Sequence, residues 1–282
     1  MKKIAFLSLL VFVNPVNADV VDLDVALRDT YYACMGIEND LDDMKKLAGI
    51  NTVVTGIGTV SGGTALAVGV VKQKYTLEKL RSIEDNMDFE IASFDKIDIS
   101  NKTVNGFKPD LKSQTKKLGN WRTGLLAVST ASNIAGVVIA SKNKNNTNLK
   151  LKIDNCLNKI DGLKQSISMA RFNGVDVDEA VQIYNACSQY QYVDVDLIKN
   201  RAKGAEISSV VGGVTGTAGT VASVVANNET DAKKEHNLDV ISNVLAGGTT
   251  VATGVAVVFN AKQISEIKKI VSVANKCESL LK

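Results

Sequence analysis

Four cysteines are the residues best equipped for chemistry in this 282-residue chain. Cys34, Cys156, Cys187 and Cys277 lie far apart and form no CxxC pair, so a thiol redox couple has no local partner, and a zinc site would need all four together. An even number of cysteines in an exported chain favours two disulfides instead. His236 is the lone histidine and stands beside Lys233, Lys234 and Glu235. No oriented base or nucleophile accompanies it, so it reads as a solvated loop side chain.

Other motifs stop short of a site. The Asp-x-Asp steps at Asp22, Asp176 and Asp194 look like pieces of a calcium loop, but the central Gly and terminal Glu are missing at the required spacing. Asp176 followed by Glu179 fits helix capping better. The segment from Thr55 to Gly62, TGIGTVSG, lacks the Gly-Lys-Ser/Thr ending of a phosphate loop. Asn101, Asn145 and Asn228 each begin an Asn-x-Thr acceptor pattern, which arises easily by chance. No catalytic, cofactor-binding or metal residue is therefore assigned, and the chain is expected not to be an enzyme.

The cysteines bracket two copies of one unit. Cys34 and Cys156 enclose uncharged runs at 47–71 and 123–141, and Cys187 and Cys277 enclose runs at 207–228 and 240–261. Asp22 to Cys34 is echoed by Asp176 to Cys187, with Tyr31-Tyr-Ala-Cys matching Tyr184-Asn-Ala-Cys. Such self-similarity predicts a tandem duplication, 19–172 and 173–282. The connections differ: about 51 residues separate the first two runs, an inserted tip at about 72–122, whereas about 11 separate the second two, which suits a tight helix-to-helix loop. Within the tip, 75–94 reads as a helix, 95–109 as irregular or a small hairpin, and 111–121 as a return helix, with Phe107 and Trp121 as candidate contact residues.

Residues 1–18 carry Lys2, Lys3, an apolar stretch and a small residue at Ala18, the pattern of a secretory signal peptide. Removing its two lysines lowers the formal charge from +3 to +1. Acids and bases are interspersed elsewhere, so nucleic acid is not expected as a partner.

Periodicity predicts an all-α fold of long antiparallel helical hairpins. Leu23, Leu27, Thr30, Cys34, Ile37, Leu41, Met44 and Ala48 follow alternating four- and three-residue steps, a coiled-coil-like seam. The same steps continue through Thr55, Gly58, Gly62, Ala65 and Gly69, so the seam passes from large residues to small ones in phase. Leu149, Ile153, Cys156, Ile160, Leu163 and Ile167 form a second seam. In an antiparallel hairpin facing positions have a nearly constant sum. For Cys34 and Cys156 it is about 190, against about 191 for the run centres, less than one helical turn apart. Cys187 and Cys277 give about 464 against about 467. Hence Cys34 is expected to pair with Cys156, and Cys187 with Cys277.

Gly, Ala, Ser and Thr recur in the runs at spacings that stack them on one helix face. Gly58 and Gly62, Gly136, Gly212 and Gly216, Gly219, and Gly254 are the expected helix-packing positions, a glycine-zipper pattern that lets backbones approach closely. On another face of the third run, Ile207, Val210, Val211, Val214, Ala218, Val221 and Val225 keep helical spacing. All four runs are long enough for about 30 Å of hydrocarbon, although Thr, Ser, Gly and the asparagines Asn51, Asn133 and Asn243 dilute their hydropathy. Four crossings would return every cysteine to one side, as disulfides require. The function expected is that of an exported, non-enzymatic, membrane-associated protein that inserts or assembles through small-residue faces. Its candidate partners are membrane lipid, a second copy or another protein. The alternative is a soluble extracytoplasmic structural or interaction module, whether periplasmic or secreted.

Overall fold

The computed structural model describes residues 15–92, 109–144 and 148–282. Most of the signal-peptide segment, the stretch before Pro109, Phe107, Asn101 and Asn145 lie outside these residues. Among the described residues the fold is all-α, with no strand. The helices are α1 (Pro15–Cys34), α2 (Ile37–Ala92), α3 (Pro109–Lys144), α4 (Asn148–Phe172), α5 (Asp178–Cys187), α6 (Val195–Asn228) and α7 (Ala232–Leu281), with a 3₁₀ turn at Ser188–Tyr192. The helices expected in the tip are not separate elements. Helix α2 runs unbroken through 75–92, and the return segment 111–121 is the first part of α3. No Gly-Pro or capping signal interrupts either one, so the backbone ladder continues.

The helix breaks have local causes. Gly36 (φ 84°) separates α1 from α2, and Gly174 (φ 78°) follows α4. The Gly174 N–H donates to the Arg171 carbonyl and the Val175 N–H to that of Ala170, the Schellman arrangement that glycine alone adopts without strain. Asp231 caps α7 by accepting from the N–H groups of Lys233 and Lys234. The backbone N–H of Lys234, foremost, holds its carboxyl below the usual range.

The described chain divides into two compact units, and each is assembled from stretches far apart in sequence. Unit 1 takes the described residues within 1–45, 146–196 and 266–282; unit 2 takes those within 46–145 and 197–265.

Unit 1 is built as water-soluble proteins are. Its interior holds large apolar side chains, among them Leu41, Ile153, Leu163 and Ile270, with Tyr190 beside them. Cys34 bonds Cys156 and Cys187 bonds Cys277, with Cα atoms 4.7 and 4.6 Å apart, and all four cysteines are fully buried. These are the pairs selected by the position sums. Lys159–Asp29 (2.8 Å), Lys152–Asp40 (2.6 Å) and Lys150–Asp196 (2.7 Å) lie on the outside of this unit. Such exposed pairs each contribute little, ~0 to 1 kcal/mol.

Unit 2 has the opposite distribution. Its interior positions on α2 are Asn51, Thr55, Gly58, Gly62, Ala65 and Gly69, while Ile50, Val53, Ile57 and Val60 point outward. On α6 Ser209, Gly212, Gly216, Gly219 and Ser223 are buried, and the Ile207, Val210, Val211, Val214, Val221 and Val225 face is exposed. Helices α3 and α7 repeat the arrangement, with Ser129, Asn133, Thr249 and Thr253 inside and Ile134, Val138, Val251 and Val258 outside. The seam read through the first run therefore keeps its phase, with Asn51 added between Ala48 and Thr55 and Lys72 and Thr76 beyond Gly69.

Four helical stretches, Asp22–Glu78, Ser113–Phe172, Asp178–Asn228 and Ala232–Leu281, are long and apolar enough to cross a membrane by length and composition. Threonine fits this setting. The hydroxyls of Thr52, Thr59, Thr64, Thr217 and Thr220 each donate to the carbonyl four residues back, so even exposed threonines hide their polar hydrogen within the helix.

Candidate functional site

The interior of unit 2 gathers polar groups that the sequence scatters. Asn51 Nδ2 donates to Asn260 Oδ1 (3.0 Å), linking α2 to α7. Asn133 Nδ2 lies 3.2 Å from Thr253 Oγ1 and also donates to the Ser129 carbonyl. Thr215 and Thr249 hydroxyls meet at 2.9 Å, and Ser129 Oγ donates to the Gly58 carbonyl across helices at 2.7 Å. Ser242 Oγ likewise donates to the Gly219 carbonyl. A small layer of Ala65, Leu126 and Ala246, flanked by Leu66 and Leu125, interrupts this polar column.

Glycines leave the room these contacts occupy. A Cβ on Gly62 would lie 2.9 Å from Thr250 Oγ1 and 3.1 Å from Ser129 Oγ. On Gly58 it would meet Ser132 Cβ at 3.0 Å and Thr253 Cγ2 at 3.1 Å; on Gly212, Asn133 Oδ1 at 2.6 Å. Gly136 faces Ser209 and Asn51, Gly216 faces Thr130, and Gly219 faces Leu245 Cβ at 3.2 Å. Gly254 is looser, since its Cβ position has only Thr59 Cγ2 at 3.9 Å. Gly69, the last glycine of the seam read through the first run, faces Asn243 and Arg122; outside the runs, Gly119 faces Asn227 and Gly204 lies against the Phe259 ring at 2.8 Å.

One end of this interior is charged, and sequence reasoning missed it. Lys72, Arg122 and Asp239, each just outside an uncharged run, are all fully buried. Asp239 Oδ1 accepts from Lys72 Nζ (2.9 Å) and Arg122 Nη1 (2.9 Å), and Arg122 Nη2 donates to the Asp239 carbonyl (3.0 Å). Lys72 also donates to Asn227 Oδ1 (3.0 Å) and pairs with Glu235 at 3.7 Å. Thus α2, α3 and α6 each give one side chain to the cluster and α7 gives two, Glu235 and Asp239. Nearby, Asn243 donates to Gln73 Oε1 (2.8 Å), and Thr123 and Ser223 hydroxyls meet at 2.9 Å. The available signal was positional: a charge opening or closing an uncharged run at corresponding ends of hairpin partners. Taken singly, each residue reads as a solvated run boundary.

A buried charge without a partner costs several kcal/mol, so the cluster persists because both signs and extra donors are present. His236 sits next to it along α7, with Nδ1 3.4 Å from Thr76 Oγ1. Trp121 precedes Arg122 and is 71% exposed. The Asp-x-Asp residues are not brought together with other ligands. Asp176 accepts from the Asp178 N–H at the start of α5, and Asp196 pairs with Lys150. Among the described residues no group of three or more His, Cys, Asp or Glu is placed to hold a metal ion.

No protein-family model, curated protein or solved structure matches the chain.

Proposed function

We propose that the chain is an exported, non-enzymatic integral membrane protein whose unit 2 spans a bilayer as two repeated helical hairpins packed through Gly, Ala, Ser and Thr faces. The observation carrying this is the inverted burial pattern: Val60, Val214 and Val251 are 71%, 65% and 68% exposed, whereas Asn51, Asn133 and Thr253 are at most 1% exposed. In water that pattern leaves the wrong face solvated. Removing one such Val or Ile completely from water gains about 1.5 to 3 kcal/mol, so the whole belt favours hydrocarbon by on the order of 10 kcal/mol. Small residues inside supply the close backbone contact that drives helix association among lipid tails.

Unit 1 supports the location. Two disulfides belong in an oxidising compartment, and an even number of crossings returns all four cysteine-bearing segments to one side. The soluble alternative requires the Val/Ile belt to be covered by protein, either a second copy or another chain.

The test is extraction and depth. Retention in the pellet after alkaline carbonate washing and flotation with vesicles are the expected results; full release into the wash refutes the reading. Trp121 is the only tryptophan and adjoins the charged end of a run, so it should lie at the headgroup level. Its fluorescence should then be quenched more by lipids brominated near the headgroup than by those brominated deep in the tail.

A further inference from the structure

Cations gather at one end of unit 2 where the sequence supplies almost no acid. Lys142 and Lys144 close α3, and Lys199, Arg201 and Lys203 lie early in α6. Glu206 is the only Asp or Glu from 123 to 144 or from 197 to 228, so five cations stand with one carboxylate. The packing of the two helices sets their level. Gly136 lies against Ser209 and Gly212 against Asn133, so one step along α3 matches one step back along α6. In that register Lys142 is level with Lys203, and Lys144 with Arg201. The Lys144–Glu206 pair, 2.6 Å apart, keeps these helix ends together.

Glu206 answers one charge only. Lys142, Lys199 and Lys203 are exposed and have no ion pair among the described residues. Arg201 is half-buried, and its Nε is a buried donor with no acceptor. Lys199 and Lys203 stand four apart on one helix, a like-charge spacing that weakens it, and two more cations approach them from α3. A cluster of this kind is balanced by an anion from outside the chain. A guanidinium beside ammonium groups matches the oxygens of a phosphate.

The apolar belt decides which anion. Val138 on α3 and Ile207 on α6 are level with each other and 53% and 54% exposed. Lys142 and Lys203 each stand four residues beyond them, about 6 Å along the same helix faces at about 1.5 Å per residue. Asn51 bonds Asn260 near this end of the unit, and Lys72 bonds Asp239 at the other. The stretch between those contacts, on α2 or on α7, measures about 32 Å, close to the roughly 30 Å of a hydrocarbon core. The cluster therefore lies just past the tails, where lysine stems follow apolar surface and their heads reach the headgroups. Excess Lys and Arg normally mark cytoplasmic loops. In the proposed orientation this end is on the exported side, so the cluster does not serve to orient the chain.

We propose that the α3–α6 end of unit 2 binds the headgroup phosphate of an anionic phospholipid in the exported-side leaflet. This rests on the reading of unit 2 as membrane-spanning. A zwitterionic headgroup brings its own cation beside the phosphate, so five cations against one carboxylate favour a lipid of net negative charge.

The experiment melts the full chain in dodecyl maltoside, by circular dichroism, with increasing short-chain phosphatidylglycerol or phosphatidylcholine. Phosphatidylglycerol should raise the melting temperature further than phosphatidylcholine does, and added salt should reduce the difference. The triple variant Lys142→Gln, Arg201→Gln and Lys203→Gln should bind phosphatidylglycerol on the order of 100-fold more weakly. Lys142→Arg with Lys203→Arg should match the parent, and Lys233→Gln with Lys234→Gln, at the other end, should leave binding unchanged. Glu206→Gln should bind more tightly, a gain that misfolding cannot mimic, and it decides if the triple variant loses its disulfides or its lipid-free melt. Equal shifts from the two lipids, an equal shift from inorganic phosphate, or a folded triple variant as responsive as the parent overturns the lipid site. The membrane reading survives each of these if the chain floats with phosphatidylcholine vesicles and resists carbonate. A chain that does neither removes both.

Discussion

At single positions, neighbouring glycines of one helix have opposite roles. A Cβ on Gly56 meets nothing within 4 Å, whereas Gly58 is hemmed in by Ser132, Thr253 and the Ser129 carbonyl. Alanine looks mild at both on propensity alone, since it gains up to about 1 kcal/mol over glycine in a helix interior. The structure makes Gly58→Ala unfavourable, because the added methyl falls at 3.0 to 3.1 Å from carbon atoms of two other helices. Gly56→Ala should therefore hold or raise thermal stability in detergent, Gly58→Ala should lower it, and Gly58→Leu should cost about 1 to 3 kcal/mol through overpacking. Equal responses at the two positions would remove the close contact assigned to Gly58. Tyr190 makes a separate prediction in unit 1. Burial first, and then Glu278 and Glu38, push its phenol well above the ordinary value. An unfolded tyrosine ionises near pH 10, so the stabilisation is complete below that pH and is lost as the pH rises beyond it. Ultraviolet titration should show one tyrosine resisting ionisation until the fold gives way, and Tyr190→Phe should abolish that late component.

Among elements, the Lys72–Asp239–Arg122 cluster joins helices whose contributing residues stand 117 and 167 positions apart. Breaking one side of a buried pair leaves a charge without compensation, which costs about 3 to 5 kcal/mol. Asp239→Leu alone should therefore destabilise unit 2 strongly. The triple change Lys72→Met, Arg122→Met and Asp239→Leu should be milder, because of the cluster's charges only Glu235, which is 7% exposed, then remains. Circular dichroism melting in detergent measures both. A single variant as stable as the triple would mean that water or another cation reaches the cluster freely.

At the scale of the molecule, both covalent links lie in one compact unit. The disulfides close separations of 122 and 90 residues, for which the chain-entropy account gives about 4 to 5 kcal/mol each. Both bridges bind segments of unit 1, while unit 2 holds together through its own small-residue and polar contacts. Reduction should accordingly expose 146–196 to limited proteolysis before 207–228 or 240–261. Preferential cleavage inside those two runs would contradict the independence of unit 2.

Much of this was legible in one dimension. Heptad phase and the cysteine pairing follow from spacing along the chain, because a helix repeats regularly and an antiparallel hairpin fixes facing positions by their sum. Thus Cys34 and Cys156 were pairable before any coordinate was known, and Gly58, Gly62, Gly212 and Gly216 were identifiable as positions for close approach. Which polar side chains share the inward face with those glycines was not legible. Val60 and Asn51 stand in the same uncharged run, and its composition is the same whichever is buried. The choice is set only when four helices pack, since small residues permit backbone contact and amides find partners on other helices. The charged cluster escaped notice for the same reason. Lys72, Arg122 and Asp239 are ordinary run boundaries along the chain, and only packing removes all three from solvent and makes each the others' counter-charge.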